Sequence, residues 1–251
     1  MAESKTKMAT KYKTRGFVFR KYDRSEFDQS FSVFTQNFGR LELNGRAIRK
    51  TISKLRANVD LFFLSELEFI QGRNAKTLTD VKALEKFNNI FQDLDRFKMA
   101  NKIGEIFDSF VRGQEKDENL FDLLTKTFVE LNNVQIGGFK LQVLYYYFLW
   151  SALSYFGYCP EVQKCNVCRQ KLNPYSVYFS DKLGGAVCKK CLAHDGAAVK
   201  INSDIIKILR LIFEKKWEII RKLKIEPNSH VLFQKISDNY YLYILSSHSF
   251  N

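Results

Sequence analysis

The sequence predicts an α+β multidomain protein in which a small β-domain precedes a helical domain. Three observations predict this plan. Short apolar–polar alternations separated by glycines fill the chain to about residue 85. Apolar residues then recur at helical spacing, and two Cys-x2-Cys pairs interrupt the helical part. With 251 residues, 45% of them hydrophobic, the chain can bury a sizeable core.

The first part of the chain contains segments with strand-like patterns. These segments are 15–21, 27–34, 40–43, 59–70 and 77–84. Gly39, Gly45 and Gly72 separate several of them, as expected for turns between short strands. The pattern predicts a small all-β barrel or sandwich and does not decide between the two.

The pattern changes to a helical period after residue 86. Apolar residues lie at helical spacing in 87–94, 103–110 and 120–131, with Gly113 as a stop. The Gly137-Gly138 pair then precedes a very apolar helix over 139–156.

The end of the chain predicts a further helix. Ser203 is the expected N-cap of a helix through 205–212, which we expect to continue to residue 223 and to end before Pro227. Residues 228–251 leave strand and helix open.

The apolar segment 143–156 raises the question of a membrane span. It carries no charge, but it has about 14 residues where a span needs about 20, and it contains tyrosines and serines. We therefore expect a buried helix. Residues 1–13 are polar and basic without an apolar signal core, so the sequence predicts a cytoplasmic protein without a membrane partner.

The charge of the chain is strongly positive and unevenly distributed. The formal net charge is +13. Residues 1–86 carry 18 Lys/Arg and 10 Asp/Glu, residues 87–158 carry 7 and 9, and residues 159–251 carry 15 and 8. A surplus of this size indicates a polyanionic partner, either nucleic acid or an acidic membrane surface.

The four cysteines of the two pairs are the most specific signal in the sequence. They are Cys165, Cys168, Cys188 and Cys191, with 19 residues between the pairs. Two such turns on a hairpin place four thiolates at the corners of a tetrahedron, which suits one structural Zn²⁺ per chain in a zinc-ribbon-like module. Two disulfides or an iron–sulfur cluster are the alternatives. Cys159 is expected to be a buried or free thiol, and His194 is a minor alternative ligand.

A basic segment at residues 40–56 is the second signal. Within it, Glu42 is the single acid among the cations Arg40, Arg46, Arg49, Lys50, Lys54 and Arg56. Such a loop can follow a phosphate backbone, and Arg15 adds charge from a neighbouring strand. The alternative is an ordinary solvated loop. Phe38 is a candidate for stacking on a base.

Enzyme motifs do not appear in the sequence. It contains no Gly-x4-Gly-Lys-Ser/Thr, no His-Glu-x-x-His and no Gly-x-Ser-x-Gly, and its histidines are His194, His230 and His248. The sequence therefore predicts a binding protein with no catalytic residues.

The order of several short motifs resembles the bacterial RecO family of recombination mediators. The matching residues are Thr14, Gly16, Phe17 and Val18, then Val33, Phe34, Thr35 and Gly39, then Gly45, Arg46, Ala47 and Arg49, and later Gly157, Tyr158, Pro160, Cys165 and Cys168. Two residues depart from the family pattern, because Arg169 stands where glycine is usual and Asn44 where a basic residue is frequent.

The resemblance implies an N-terminal OB-fold β-barrel and a C-terminal α-helical domain with the inserted four-cysteine zinc module. Its domains would be a DNA-binding OB domain at 1–85, helical parts at 86–158 and 197–251, and the zinc module at 159–196. It implies binding of single- and double-stranded DNA, strand annealing, and a place in DNA repair and recombination at the bacterial nucleoid, through the RecF pathway. Its implied partners are RecR and the acidic C-terminal tail of single-stranded-DNA-binding protein.

Two functions therefore compete. The first is a DNA-binding annealing and recombinase-loading protein whose phosphate contacts are Arg15, Arg40, Arg46, Arg49, Lys50, Lys54 and Arg56. The second is a zinc-containing interaction module that recruits partners without touching DNA, in which the basic loop meets an acidic peptide.

Overall fold

The protein forms two compact units, the first ending at Gln135 and the second beginning at Ile136. The structure, a computed structural model, describes residues 10–50, 53–133 and 135–248. Of the polar and basic residues 1–13, residues 1–9 lie outside the described residues.

The first unit contains a closed five-stranded barrel. Its strands are β1 (Lys11–Asp23), β2 (Gln29–Thr35), β3 (Gly39–Gly45), β4 (Leu64–Gln71) and β5 (Lys76–Glu85). They follow one another around the barrel in the order β1-β2-β3-β5-β4, with β3 and β5 parallel and the other neighbours antiparallel. The barrel is therefore confirmed over the sandwich, and it has the five-stranded form of an OB fold.

Two strand predictions began too early. Strand β2 starts at Gln29, two residues after the predicted start, and β4 starts at Leu64 where the apolar pattern suggested residue 59. Val59 and Phe62 are buried although they precede β4, and Phe62 has a left-handed backbone with φ of 62°. A left-handed residue cannot continue a strand, so burial without strand geometry explains the difference.

The barrel is apolar inside and partly apolar outside. Val18 points into the interior cluster, which also contains Phe31, Val33, Leu41, Leu43, Leu67, Phe69, Leu78 and Val81. Its neighbours in β1, Phe17 and Phe19, stack against aromatic rings outside the barrel. Because both faces of β1 are buried, its central residues read as one apolar run.

Three helices cover this outer face. They are α1 (Asn88–Gln92), α2 (Leu94–Phe110) and α3 (Glu118–Asn132). Asp93 and Asp117 accept hydrogen bonds from backbone N–H groups in the first turns of α2 and α3, as N-cap residues do. Phe128 of α3 lies at the centre of the contact, with its ring 5.1 Å from that of Phe17.

The second unit is built around α4 (Phe139–Tyr155), which is buried on nearly every side. Trp150 donates a hydrogen bond of 2.8 Å from Nε1 to Ser237, and its ring stacks on Tyr240. The predicted buried helix is therefore confirmed. Among the residues that the structure describes, none of the helices has the length and apolar character required to cross a bilayer.

The C-terminal helices differ from the prediction in two details, and a third feature settles an open alternative. Helix α5 (Ser203–Phe213) is capped by Asn202 and not by Ser203, because the Asn202 side chain accepts from the N–H of Ile205. The helix does not continue to residue 223, since Lys215 adopts a left-handed backbone before the short α6 (Trp217–Ile220). The ambiguous tail is helical, as α7 (Pro227–His248).

Replacing the ring at the barrel–helix contact tests this packing. We expect Phe128→Ala to lower the free energy of unfolding by about 3–5 kcal/mol, because it removes a fully buried ring and leaves a cavity. The measurement is urea denaturation followed by circular dichroism. Its control is the neighbouring Val129→Ala, at a half-exposed position, which should change stability by about 0.5 kcal/mol or less. Equal losses in the two variants would contradict the packing.

Candidate nucleic-acid interface and metal centre

The basic segment forms the connection between β3 and β4, here called the basic connection (residues 46–63). Two of its apolar side chains, Ile48 and Val59, are 1% and 5% exposed and belong to the cluster inside the barrel. Its five cations Arg46, Arg49, Lys50, Lys54 and Arg56 are exposed. The alternation of buried anchors and exposed cations therefore holds the positive charge on the barrel surface.

The turn between β1 and β2 (residues 24–28) is joined to the basic connection. The N–H of Arg49 donates to the carbonyl of Phe27 at 3.1 Å, and the N–H of Ala47 donates to the Asp28 carboxylate at 2.7 Å. The Arg49 guanidinium also lies 3.2 Å from the carboxylate of Asp23. These bonds make the turn and the connection one continuous surface.

The structure brings together five of the seven predicted DNA-binding residues. Arg40 lies at the start of β3, at the opposite end from Arg46, and Arg15 lies within β1, where it pairs with Glu66 of β4. At about 3.3 Å per residue, the six-residue step from Arg40 to Arg46 spans about 20 Å. The charge pattern alone could not show this separation, because a strand lies between the two groups.

Arg40 is also held by groups within the first unit. Its guanidinium lies 3.0 Å from Asp108 of α2 and donates to Ser32 and to the carbonyl of Val111. Asp108 in turn lies 2.6 Å from Arg20. Arg40 therefore links the barrel to α2, and a phosphate at this position would compete with Asp108.

The structure adds one cation that sequence reasoning missed. Lys86, just after β5, donates from Nζ to the carbonyl of Ala57 at 3.0 Å and so lies beside the basic connection. Its proximity follows from the antiparallel pairing of β4 with β5, in which Leu64 lies opposite Glu85. Phe38, the stacking candidate, is half-buried, with edge contacts to Tyr12 and Phe69.

The second unit contains the four-cysteine cluster. The Sγ atoms of Cys165, Cys168, Cys188 and Cys191 all lie within 4.8 Å of one another. Those of Cys168 and Cys188 are 3.8 Å apart. A tetrahedral zinc ion with Zn–S bonds of about 2.3 Å has sulfur atoms about 3.8 Å apart, so the donor set fits such an ion.

The strands around the cluster explain how the two cysteine pairs meet. Strands β6 (Val177–Ser180) and β7 (Gly185–Cys188) form a hairpin that ends at Cys188, and β8 (Val199–Ile201) pairs with β6. The chain before the first pair joins the hairpin where the N–H of Ala186 donates to the carbonyl of Glu161 at 2.7 Å. Gly185 permits this approach, since a Cβ there would lie 2.4 Å from the Glu161 carbonyl oxygen.

Arg169 keeps the turn in which glycine was expected. Its φ of 62° is left-handed, and its N–H donates to the carbonyl of Cys165 at 2.9 Å. The guanidinium lies 3.6 Å from Glu161. Arg169 thus adopts a left-handed backbone of the kind that glycine adopts without strain.

The four thiols are electrostatically unequal. Burial opposes ionisation of Cys165, but backbone N–H groups of Cys168, Cys188 and Val167 outweigh it and lower its pKa to about 6. Burial and the neighbouring thiols raise the pKa of Cys191 to about 12. A metal ion deprotonates the thiols that coordinate it. Cys159 and His194 are exposed and lie outside the cluster.

These features define a class of protein with an OB-type barrel, a cationic connection on its surface, and a helical unit with a four-thiol centre. The chain belongs to the RecO family: its residues 8–87 match the model of the recombination protein O N terminal, and residues 91–249 match that of the recombination protein O C terminal.

Individual relatives agree with this assignment. The chain is 29% identical to the DNA repair protein RecO of Alkaliphilus metalliredigens, over 95% of this chain and 96% of the relative. It is 31% identical to that of Dehalococcoides mccartyi, over 85% and 83%. It is 27% identical to that of Halalkalibacterium halodurans, over 92% and 88%.

Proposed function

We propose that this RecO-family protein is a DNA-binding mediator of DNA repair and recombination on the bacterial chromosome. It binds single- and double-stranded DNA, anneals complementary strands, and acts with RecR to load the recombinase on strands coated by single-stranded-DNA-binding protein. The observation that carries the proposal is the basic connection, whose cations are exposed while Ile48 and Val59 anchor it in the barrel.

The charges of this surface support binding to phosphates. The basic connection contains five Lys/Arg and one acid, Asp60, which is paired with Lys21 at 2.6 Å. Arg49 lies 3.2 Å from Asp23, whereas no acid among the described residues forms an ion pair with Arg46, Lys50, Lys54 or Arg56. Such cations bind phosphates with release of condensed counterions. The same charges reduce the repulsion between two strands, which favours annealing.

A double charge reversal tests DNA binding. We expect Arg46→Glu with Arg49→Glu to weaken binding to both oligo-dT and duplex by more than about 10-fold at moderate salt, because two phosphate contacts become repulsive. The dependence of log affinity on log salt should become shallower by about 0.7–0.9 per lost contact. Fluorescence anisotropy across a salt series measures both quantities.

The control reverses Lys98 and Lys126, exposed cations on α2 and α3, and should change the affinity by less than about 2-fold. If wild-type protein binds no DNA at low salt, the alternative of a protein-interaction module replaces this proposal. If both double reversals weaken binding equally, the effect comes from net charge and the interface lies elsewhere.

We also propose that the four-cysteine cluster holds one structural Zn²⁺ per chain. Four thiolate ligands saturate the ion, so it has no position for water or substrate. Its role is to hold the two cysteine-bearing turns together, because the hairpin around them is too short to bury a core of its own.

Metal analysis tests this site. We expect one zinc per chain in wild-type protein, and loss of that zinc in Cys165→Ser and Cys191→Ser, because serine is a poor zinc ligand. These variants should also unfold at lower temperature. Cys159→Ser is the matched control and should keep both the zinc and the melting temperature, since Cys159 lies outside the cluster. Iron in place of zinc, or full metal content in the cluster variants, would contradict the proposal.

We also propose a site for a protein partner. The acidic tail of single-stranded-DNA-binding protein docks in a cavity of the second unit. The cavity has a volume of about 260 Å³ and apolar walls that include Phe139, Val143 and Trp217. Lys140, Arg221 and Lys224 also line it. Apolar walls with cations suit a peptide that carries both carboxylates and apolar side chains.

Charge reversal at this cavity distinguishes binding of the acidic tail from binding of DNA. We expect Lys140→Glu with Lys224→Glu to weaken binding of a fluorescent peptide of the acidic tail by about 10-fold or more, while DNA binding by the barrel changes by less than about 2-fold. Lys200→Glu with Lys235→Glu, at exposed positions outside the cavity, is the control. Equal effects of the two pairs on peptide binding would place the tail elsewhere.

A further inference from the structure

Phe27 is an exposed aromatic residue within the proposed DNA-binding surface. It lies in the turn between β1 and β2, and 40% of it is exposed. A phenylalanine ring with this exposure gives up much of the free energy that burial would contribute. Its position therefore calls for a reason beyond packing.

The Phe27 ring has a cation close to one of its faces. The ammonium of Lys50 lies over the ring, 5.3 Å from its centroid. Among the described residues, no second aromatic ring packs against Phe27. Phe91, which is similarly exposed, instead contacts the rings of Phe62 and Phe97.

The turn that carries Phe27 is held in place. Its carbonyl accepts the N–H of Arg49, and the next residue, Asp28, accepts the N–H of Ala47. Asp28 also receives the backbone N–H of Arg24 through its own carbonyl at 2.9 Å. These bonds keep the ring beside the cations of the basic connection, and 40% of the residue remains exposed.

An exposed ring beside an ammonium matches the two parts of an unpaired nucleotide. The base stacks on the face of a ring, and the phosphate binds the cation; one stacked base contributes about 1–3 kcal/mol in other single-strand binders. Bases of a duplex are stacked on each other and cannot reach the ring. A ring at this position therefore favours single strands, whereas cations alone bind both forms.

We propose that Phe27 is a base-stacking residue that gives this surface a preference for single-stranded DNA, with Lys50 binding the adjoining phosphate. The inference rests on the proposed DNA-binding function and adds a contact to the base. Its test must therefore separate base stacking from phosphate binding.

The experiment compares three probes on wild-type protein and Phe27→Ala. The first probe is oligo-dT of about 15 nucleotides, a length within the range bound by one OB fold. The other two probes are an abasic strand with the same number of phosphates and a duplex of equal length. We expect Phe27→Ala to lower the affinity for oligo-dT by about 5-fold to 100-fold, as for one lost stacked base. Affinities for the abasic strand and the duplex should change by less than about 2-fold.

Two further variants separate the aromatic ring from its bulk. Phe27→Leu keeps an apolar side chain without a ring and should behave as Phe27→Ala does. Phe27→Trp should keep the preference for oligo-dT over the abasic strand, and its fluorescence should be quenched by oligo-dT but not by the abasic strand. Tyr175→Ala, which removes an exposed ring of the second unit, is the control and should leave all three affinities unchanged.

Each outcome decides the proposal. Equal losses with oligo-dT and duplex would show that the ring only positions Lys50, and unchanged affinity for oligo-dT would exclude stacking. Full affinity of Phe27→Leu would also overturn the proposal, because leucine cannot stack. Failure of the wider DNA-binding proposal is recognised separately, since wild-type protein would then bind none of the three probes.

Discussion

Burial of Ile48 and Val59 inside the barrel is the constraint on which the cationic surface depends. A segment with five cations repels itself, and without anchors it would extend into solvent. Each buried aliphatic side chain contributes about 1.5–3 kcal/mol, enough to offset weak repulsion between screened surface charges. The anchors therefore set the direction of the neighbouring cations, and hydrogen bonds from Arg49 and Ala47 add the turn before β2 to the same surface. Charge and packing thus act on one stretch of chain.

Features with a local pattern could be predicted from the sequence. The five strands, the apolar helix α4 and the four cysteines follow from alternation, helical spacing and the Cys-x2-Cys repeat, and all of them are present in the structure. Features that depend on distant residues could not be predicted. The pairing of Arg40 with Asp108 joins residues far apart in sequence, and Lys86 reaches the basic connection through the exact register in which β5 pairs with β4. The start of β4 was predicted too early because Val59 and Phe62 are buried by tertiary contacts without being in a strand. The apolar pattern alone does not distinguish the two cases.

The outward-facing aromatic residues of β1 explain why helices pack on the barrel. Phe17 and Phe19 face outward and are covered by rings from α2 and α3, so the first compact unit continues to Gln135. The family models change between residues 87 and 91, after the last strand. The predicted domain boundary at residue 85 marks the change from strand alternation to helical spacing. It remains a prediction. The contacts add that the barrel without its helices would expose an aromatic face.

The burial of α4 has a consequence for biosynthesis. Its covering residues Ser237 and Tyr240 belong to α7, the last helix of the described residues. While the nascent chain is still being extended on the ribosome before α7, this apolar helix therefore lacks one of the partners that shield Trp150. Apolar surface exposed during synthesis promotes aggregation and chaperone binding. The second unit can complete its core only after α7 has been synthesised, so a chain that ends before α7 would leave one side of Trp150 uncovered.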